Sequence, residues 1–131
     1  MNGNFLLDTN VVIDFFNGEP AITKWLSGVP SVHVSNIVIG ELYYGAYKSS
    51  RKKENIDKLE DFIVSSSVLE SDINTAKEYG IIKNELRQKG KPVPENDIWI
   101  AAIAKQYDLT LVTADTHFKD ITSIKVLLRE L

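Results

Sequence analysis

The chain has 131 residues, of which 44% are hydrophobic and 25% charged, the balance of an ordinary globular protein. It contains no cysteine, which excludes disulfide scaffolds, zinc ribbons and thiol catalysis. Its 15 basic and 18 acidic side chains give a net charge of −3, so a protein-wide positive field for nucleic acid is also excluded. The length predicts one domain over residues 1–131.

No segment of the sequence has the character of a membrane anchor or a leader. The longest unbroken apolar run, 98–104, is far shorter than the roughly 20 residues that a membrane helix needs. Residues 1–4 lack the basic region that begins a secretory signal. We therefore expect a cytoplasmic protein that does not contact membranes.

Short apolar segments with little alternation predict strands that are covered on both faces. In chain order these segments are 5–7, 32–34, 62–64 with an extension to 68–69 left open, 109–113 and 124–128. Helical spacing and capping residues predict helices between them. These helices are 9–17, 20–28, 36–49, a charged stretch from 51, 72–90 and 94–107.

Strand and helix thus alternate along the chain. This order predicts an α/β fold with a mostly parallel central sheet of four or five strands, flanked by helices.

Two acids follow predicted strands directly. Asp8 comes after 5–7, and Asp115 comes just after 109–113. Parallel strands end at the same edge of a sheet, where ligands bind in open α/β folds. Each acid taken alone is also explained as a helix cap or a turn residue.

Two further acids lie on apolar helix faces. Glu41 is about two turns into its predicted helix, and Asp97 immediately precedes the apolar run 98–104. A buried carboxylate needs a positive or hydrogen-bonding partner. For Glu41 that partner could be Lys48, and for Asp97 it could be the positive end of its own helix.

Four carboxylates at one sheet edge would repel one another unless a cation lay between them. Carboxylate oxygens are the ligands that Mg²⁺ prefers. The two histidines, His33 and His117, lack the spacing of a metal-binding pair, and we interpret both as core or surface residues.

Four sequence blocks in this order resemble the PIN domain, and most closely the VapC-type toxins of toxin–antitoxin pairs. The resemblance covers essentially the whole chain. The blocks are Leu6-Leu7-Asp8-Thr9-Asn10, Glu41-Leu42-Tyr43-Tyr44-Gly45-Ala46, Asn96-Asp97-Ile98-Trp99-Ile100-Ala101-Ala102, and Leu111-Val112-Thr113-Ala114-Asp115 followed by Phe118.

This resemblance implies an endoribonuclease dependent on Mg²⁺ or Mn²⁺, a homodimer, and inhibition by a small antitoxin. Carried over by position, it implies a catalytic set of Asp8, Glu41, Asp97 and Asp115, with the metal held by Asp8, Asp97 and Asp115. Thr113 matches an accessory polar position. Thr9 and Asn10 could hydrogen-bond a phosphate or a ligating carboxylate, and the alternative is that they only shape the first turn of the helix.

Basic side chains cluster in two places. A first group, which we predict to follow an RNA backbone, has the solvated surface of a helix as its alternative explanation. It consists of Lys48, Arg51, Lys52 and Lys53. A second group with the same two interpretations consists of Lys83, Arg87, Lys89 and Lys91.

Two other functions remain open at this point. A receiver-type phosphoacceptor domain has similar length and an acidic Mg²⁺ pocket, but Asp8 lacks the acidic neighbour and 63–66 lacks the acceptor aspartate of such domains. A PIN-like domain that binds RNA without cutting it would share the fold. The complete set of four acids argues against this second alternative.

Overall fold

The computed structural model describes residues 4–129. Residues 1–3 and 130–131 lie outside the described residues. They include most of the segment in which we predicted no leader, and both ends of the predicted domain. The extent of the domain over 1–131 therefore stays a prediction.

Five strands form a single sheet in which every pairing is parallel. They are β1 (Asn4–Leu7), β2 (Ser31–Ser35), β3 (Ser67–Leu69), β4 (Thr110–Thr113) and β5 (Lys125–Leu128). The helices that flank the sheet are α1 (Thr9–Phe16), α2 (Pro20–Ser27), α3 (Asn36–Tyr47), α4 (Lys52–Val64), α5 (Ile73–Lys89) and α6 (Glu95–Gln106), with a short 3₁₀ helix at Thr116–Asp120. The predicted α/β class with a parallel sheet is confirmed.

The strand order β3-β2-β1-β4-β5 places β1 at the centre. From β1 the chain runs outward to β2 and β3, and it then returns to the other side of β1 to form β4 and β5. A crevice opens where such a reversal occurs, at the carboxyl ends of the two strands beside it. The fold therefore favours a ligand site beyond the carboxyl ends of β1 and β4.

The core explains why these segments became central. Phe5, Leu6 and Leu7 are at most 2% exposed, because helices cover both faces of β1. Helix α6 is buried almost all round, as its apolar run predicts, with Ile98 and residues 100–104 in the core. The two elements that carry Asp8 and Asp97 are thus fixed by dense packing.

One predicted strand is wrong. Residues 62–64 form the last turn of α4, and the third strand is Ser67–Leu69. A short apolar run fits a strand or a buried helix equally well. Here Phe62 continues the helical spacing from Leu59 and packs edge-on against Phe16, with ring centroids 5.2 Å apart, so tertiary contact decides for the helix.

In the part of the chain from residue 4 to residue 129, every helix is too short or too polar to cross a membrane.

Candidate active site

Asp8 lies at the carboxyl end of β1 and is only 4% exposed. Its Oδ1 accepts a hydrogen bond from the backbone N–H of Thr9 at 2.8 Å. Its Oδ2 accepts from the Thr113 hydroxyl at 2.6 Å and from the Asn10 amide at 3.1 Å. Asp8 is also the N-cap of α1, so the capping interpretation and a role at the sheet edge hold together.

Thr113 joins the ends of the two central strands. β1 and β4 pair with Leu7 beside Val112, so the next residues, Asp8 and Thr113, face each other across the strand ends. The Thr113 hydroxyl donates to Asp8 and accepts the backbone N–H of Asp115 at 3.0 Å. A hydroxyl at this position therefore orients acids from both strands.

Replacing Thr113 by valine should lower the free energy of unfolding by about 1 kcal/mol, because the buried carboxylate of Asp8 loses a donor and the part-buried N–H of Asp115 loses its acceptor. The pKa of Asp8 should rise further, since the Thr113 hydrogen bond lowers it. Thermal unfolding and ¹³C NMR titration of the Asp8 carboxyl, both without metal, measure the two effects. Thr113→Ser is the matched control, and a serine variant as perturbed as the valine variant would contradict the role of the hydroxyl.

Glu41 is half-buried on α3 and turns toward the same edge of the sheet. Its Oε1 accepts from the Thr9 hydroxyl at 2.6 Å, and its Oε2 accepts from the Asn96 amide at 3.4 Å. Lys48, which the sequence offered as a counter-charge, instead lies over the ring of Tyr44. Glu41 is thus positioned by neutral donors.

Asp97 and Asp115 complete the cluster from the opposite side. Asp97 lies in the first turn of α6 and is half-buried. Its carboxylate accepts no hydrogen bond from residues 4–129. Asp115 caps the 3₁₀ helix, where its Oδ1 accepts the backbone N–H of His117 at 2.9 Å. Ligand atoms of Asp97, Asp115 and His117 all lie within 4.8 Å of one another.

Burial and mutual repulsion raise two pKa values in this cluster. Burial, followed by the charges of Asp8, Asp115 and Glu41, raises the pKa of Asp97 from 3.8 to about 6. Burial also raises the pKa of Asp8, although its hydrogen bonds from Thr113 and Thr9 oppose the shift. The dipole of α6, which the sequence offered as an explanation for Asp97, is therefore outweighed by its surroundings.

The cluster fits a divalent cation. Its donors are carboxylate oxygens, which are hard ligands, and none of the four acids forms an ion pair with a lysine or arginine in the described range. Four carboxylates without a lysine or arginine beside them leave an excess of negative charge that a dication would neutralise. That Asp8, Asp97 and Asp115 would hold this ion stays a prediction.

Sequence reasoning missed two members of the cluster. Asn96 had no predicted role, yet its side-chain amide donates to Glu41 Oε2. His117 was interpreted as a core or surface residue, but its Nδ1 lies 2.9 Å from Asp115 Oδ1. The only available signal was that His117 is two residues from Asp115. His33 does behave as expected, since its ring nitrogens contact the hydroxyls of Ser31 and Ser67 on the sheet.

The side chains predicted to bind RNA lie outside the acid cluster, between the end of α3 and the start of α4. Arg51 is paired with Glu54 at 2.7 Å, and Lys53 with Asp57 at 3.0 Å, both on the exposed surface. The other two lie over tyrosine rings: Lys48 on Tyr44 and Lys52 on Tyr47. Half of this group is thus already neutralised, and its contact with RNA stays a prediction.

The second basic group is also partly engaged. Lys83 lies 3.1 Å from Glu95, and Lys89 donates to the hydroxyl of Thr122 at 3.1 Å. Both contacts fit the interpretation of a solvated helix surface.

Comparison with known proteins decides the family. Residues 5–123 match the family model of the PIN domain. The chain belongs to the PIN domain family. Ribonuclease VapC2 of Haemophilus influenzae is 39% identical to it over 111 residues, which are 83% of this chain and 84% of that protein. The tRNA(fMet)-specific endonuclease VapC of Shigella flexneri is 33% identical over 115 residues, 86% of this chain and 87% of that protein.

A solved structure agrees with these relatives. The VapBC2 complex of Rickettsia felis, crystallised with a DNA fragment from its promoter, contains a chain with a TM-score of 0.88 and 29% identity to this PIN domain. The match covers 97% of this chain and 99% of that one. The predicted resemblance to VapC-type PIN domains is confirmed, and family membership decides against the receiver-type alternative.

Proposed function

We propose that this PIN domain is a metal-dependent endoribonuclease toxin that hydrolyses RNA phosphodiester bonds and is inhibited by a cognate antitoxin. The observation that carries the proposal is the meeting of four carboxylates from separate parts of the chain at the crevice between β1 and β4. Two of them have raised pKa values, and none is ion-paired with a lysine or arginine within residues 4–129. The ribonuclease relatives support the reaction.

Asp8, Asp97 and Asp115 would hold the ion, Mg²⁺ or Mn²⁺. When bound, such an ion polarises the phosphoryl oxygens and acidifies a coordinated water. Thr113 and Asn10 keep Asp8 oriented. Their hydrogen bonds set the ligand geometry before substrate arrives, so little of it has to be ordered during the reaction.

Glu41 has a different task in this proposal. Thr9 holds its Oε1 at 2.6 Å, whereas its Oε2 has only the long contact of 3.4 Å with Asn96. With Asp8, Asp97 and Asp115 assigned to the ion, Oε2 of Glu41 is the weakly engaged carboxylate oxygen that remains to accept the proton of an attacking water. We assign Glu41 as the general base.

The antitoxin and a second copy of the chain are the proposed protein partners. A groove of about 250 Å³ opens beside Glu41 between α1, α3 and α4. Its apolar walls suit a peptide segment that would also cover the acid cluster, and they include Ile13, Phe16, Leu42, Ala46 and Leu59. We also propose that the chain forms a homodimer and acts in the cytoplasm, where it would encounter RNA and the antitoxin.

Cleavage of a cellular RNA pool by the purified chain tests the proposal. We expect fragments with Mg²⁺ or Mn²⁺, no fragments with a chelator, and recovery when the ion is restored. Glu41→Gln should slow cleavage about 10²- to 10⁴-fold, the usual contribution of a positioned base, without loss of metal binding.

Asp61→Asn is the control, because Asp61 is an exposed acid of α4 that forms no ion pair with a lysine or arginine among residues 4–129. It should cut like the wild type. Retention of RNA without fragments under every metal condition would instead support the alternative of a PIN domain that binds RNA and does not cut it.

A further inference from the structure

The two histidines of the chain have different surroundings. His33 is half-buried on β2, where both ring nitrogens contact serine hydroxyls. His117 belongs to the 3₁₀ helix after β4, and its side chain is 56% exposed. One of its ring nitrogens, Nδ1, lies 2.9 Å from Asp115 Oδ1. The other, Nε2, has no hydrogen-bond partner among residues 4–129. The imidazole can therefore keep a nitrogen lone pair free for a metal ion at the edge of the acid cluster.

The backbone fixes His117 against Asp115. The N–H of His117 donates to Asp115 Oδ1 at 2.9 Å, and the imidazole contacts the same oxygen. Ligand atoms of Asp97, Asp115 and His117 fall within 4.8 Å of one another. Groups that share one metal ion must lie within a few ångströms of one another, so these three side chains are close enough to hold one ion together.

Asp8 is less available than these three groups. Its Oδ2 already accepts two hydrogen bonds, from Thr113 and Asn10, which occupy both lone pairs of that oxygen. Its Oδ1 accepts one more, from the N–H of Thr9. Asp8 therefore has one lone pair free for a metal ion, whereas both oxygens of Asp97 are free. Asp97, Asp115 and His117 are thus the more available ligands.

We propose that His117 supplies an imidazole nitrogen to the ion held by Asp97 and Asp115, and that this nitrogen makes the site prefer Mn²⁺ to Mg²⁺. The inference rests on the metal site of the proposed function and goes beyond it by adding a ligand and a selectivity. Mg²⁺ favours an all-oxygen shell and gains little from imidazole, whereas transition-metal dications bind nitrogen well.

Direct metal binding by the full-length chain, purified without a histidine tag, tests the inference. Electron paramagnetic resonance of free Mn²⁺ gives the Mn²⁺ dissociation constant, and competition gives that of Mg²⁺. His117→Gln removes the imidazole but keeps a group able to donate to Asp115. We expect it to weaken Mn²⁺ binding at least about tenfold, the scale seen when groups around a metal are lost, with Mg²⁺ binding changed much less.

Electron spin echo modulation identifies the nitrogen itself. Mn²⁺ bound to the wild type should show imidazole ¹⁴N modulation that changes to ¹⁵N when only histidine is labelled. The modulation should persist in His33→Gln, the matched control, and disappear in His117→Gln. Because the chain has only these two histidines, the assignment is unambiguous.

The outcomes separate the inference from the proposed function. Mn²⁺ binding that needs Asp97 but shows no imidazole nitrogen would overturn the role of His117 and leave the metal site intact. An equal loss of Mn²⁺ and Mg²⁺ binding in His117→Gln would also overturn it, because His117 would then only orient Asp115. Failure of the wild type to bind either ion would remove the proposed metal site, and the inference with it.

Discussion

Asp97→Asn should abolish RNA cleavage and at the same time stabilise the metal-free protein. The amide has nearly the shape of the carboxylate but is a poor ligand for a hard dication. Loss of the ion removes several kcal/mol of transition-state stabilisation, which corresponds to a rate at least about 10³-fold lower. An RNA cleavage assay with Mn²⁺ or Mg²⁺ present in excess measures this loss.

The gain in stability follows from the pKa of Asp97, which the fold raises from 3.8 to about 6. The folded state therefore binds this proton more tightly than the unfolded chain, so stability falls as pH rises between about 4 and about 6. Above that pH range the ionised Asp97 carboxylate lowers the free energy of unfolding of the metal-free protein by a constant amount. After allowance for solvent screening this cost is about 1 to 2 kcal/mol.

Thermal unfolding with a chelator, followed across pH, checks this second effect. Asp97→Asn should raise the Tm by about 3 to 6 °C at pH 7.5, and the difference should vanish below pH 4. Asp61→Asn, on the exposed surface of α4, should show neither the activity loss nor the stability gain. A variant that is inactive but also less stable at pH 7.5 would indicate a folding defect and would contradict the repulsion argument.

The convergence of the site could be predicted because it follows from topology. Acids directly after two buried parallel strands must meet at one edge of the sheet, wherever the helices lie. The structure adds the reason for the precision: Leu7 pairs with Val112, which brings Asp8 and Thr113 side by side. Glu41 and Asp97 were predictable as anomalies, because each carboxylate lies on a helix face that is otherwise apolar.

Other features could not be predicted because they depend on contacts distant in sequence. Residues 62–64 suit a strand by composition, and only their packing on α1 makes them helical. His117 lacks metal-ligand spacing because its partners come from α6 and from the end of β4.

Arg129 is another contact of this kind, and its replacement by methionine should cause the largest loss of stability among the variants considered. Its side chain is only 10% exposed and pairs with Asp14 at the end of α1 and with Glu19, the N-cap of α2. Its backbone N–H donates to the carbonyl of Thr113 at 2.7 Å. Arg129 thus ties the end of β5 to α1, to α2 and to the strand that carries the site.

Methionine keeps the apolar stem but leaves two half-buried carboxylates without their cation. Breaking a buried pair costs about 3 to 5 kcal/mol. Asp14 and Glu19 retain some contact with water, so we expect a loss of about 2 to 3 kcal/mol, measured by urea unfolding. Lys125→Met is the matched control, because Lys125 also extends from β5 but pairs with Asp108 in full solvent and should change stability by less than about 1 kcal/mol.

The pH dependence identifies which partner carries the effect. Backbone N–H groups of α2, together with Arg129, lower the pKa of Glu19 from 4.5. A lowered carboxyl pKa contributes stability that is present above pH 4.5 and is lost as pH falls through the folded value. The difference in the free energy of unfolding between the wild type and Arg129→Met should therefore narrow below pH 4.5. At pH 7, the same Arg129→Met replacement should cost less when it is made in a Glu19→Gln background. A gap that is constant from pH 3 to pH 8 would show that Arg129 acts through packing of its stem and not through its charge.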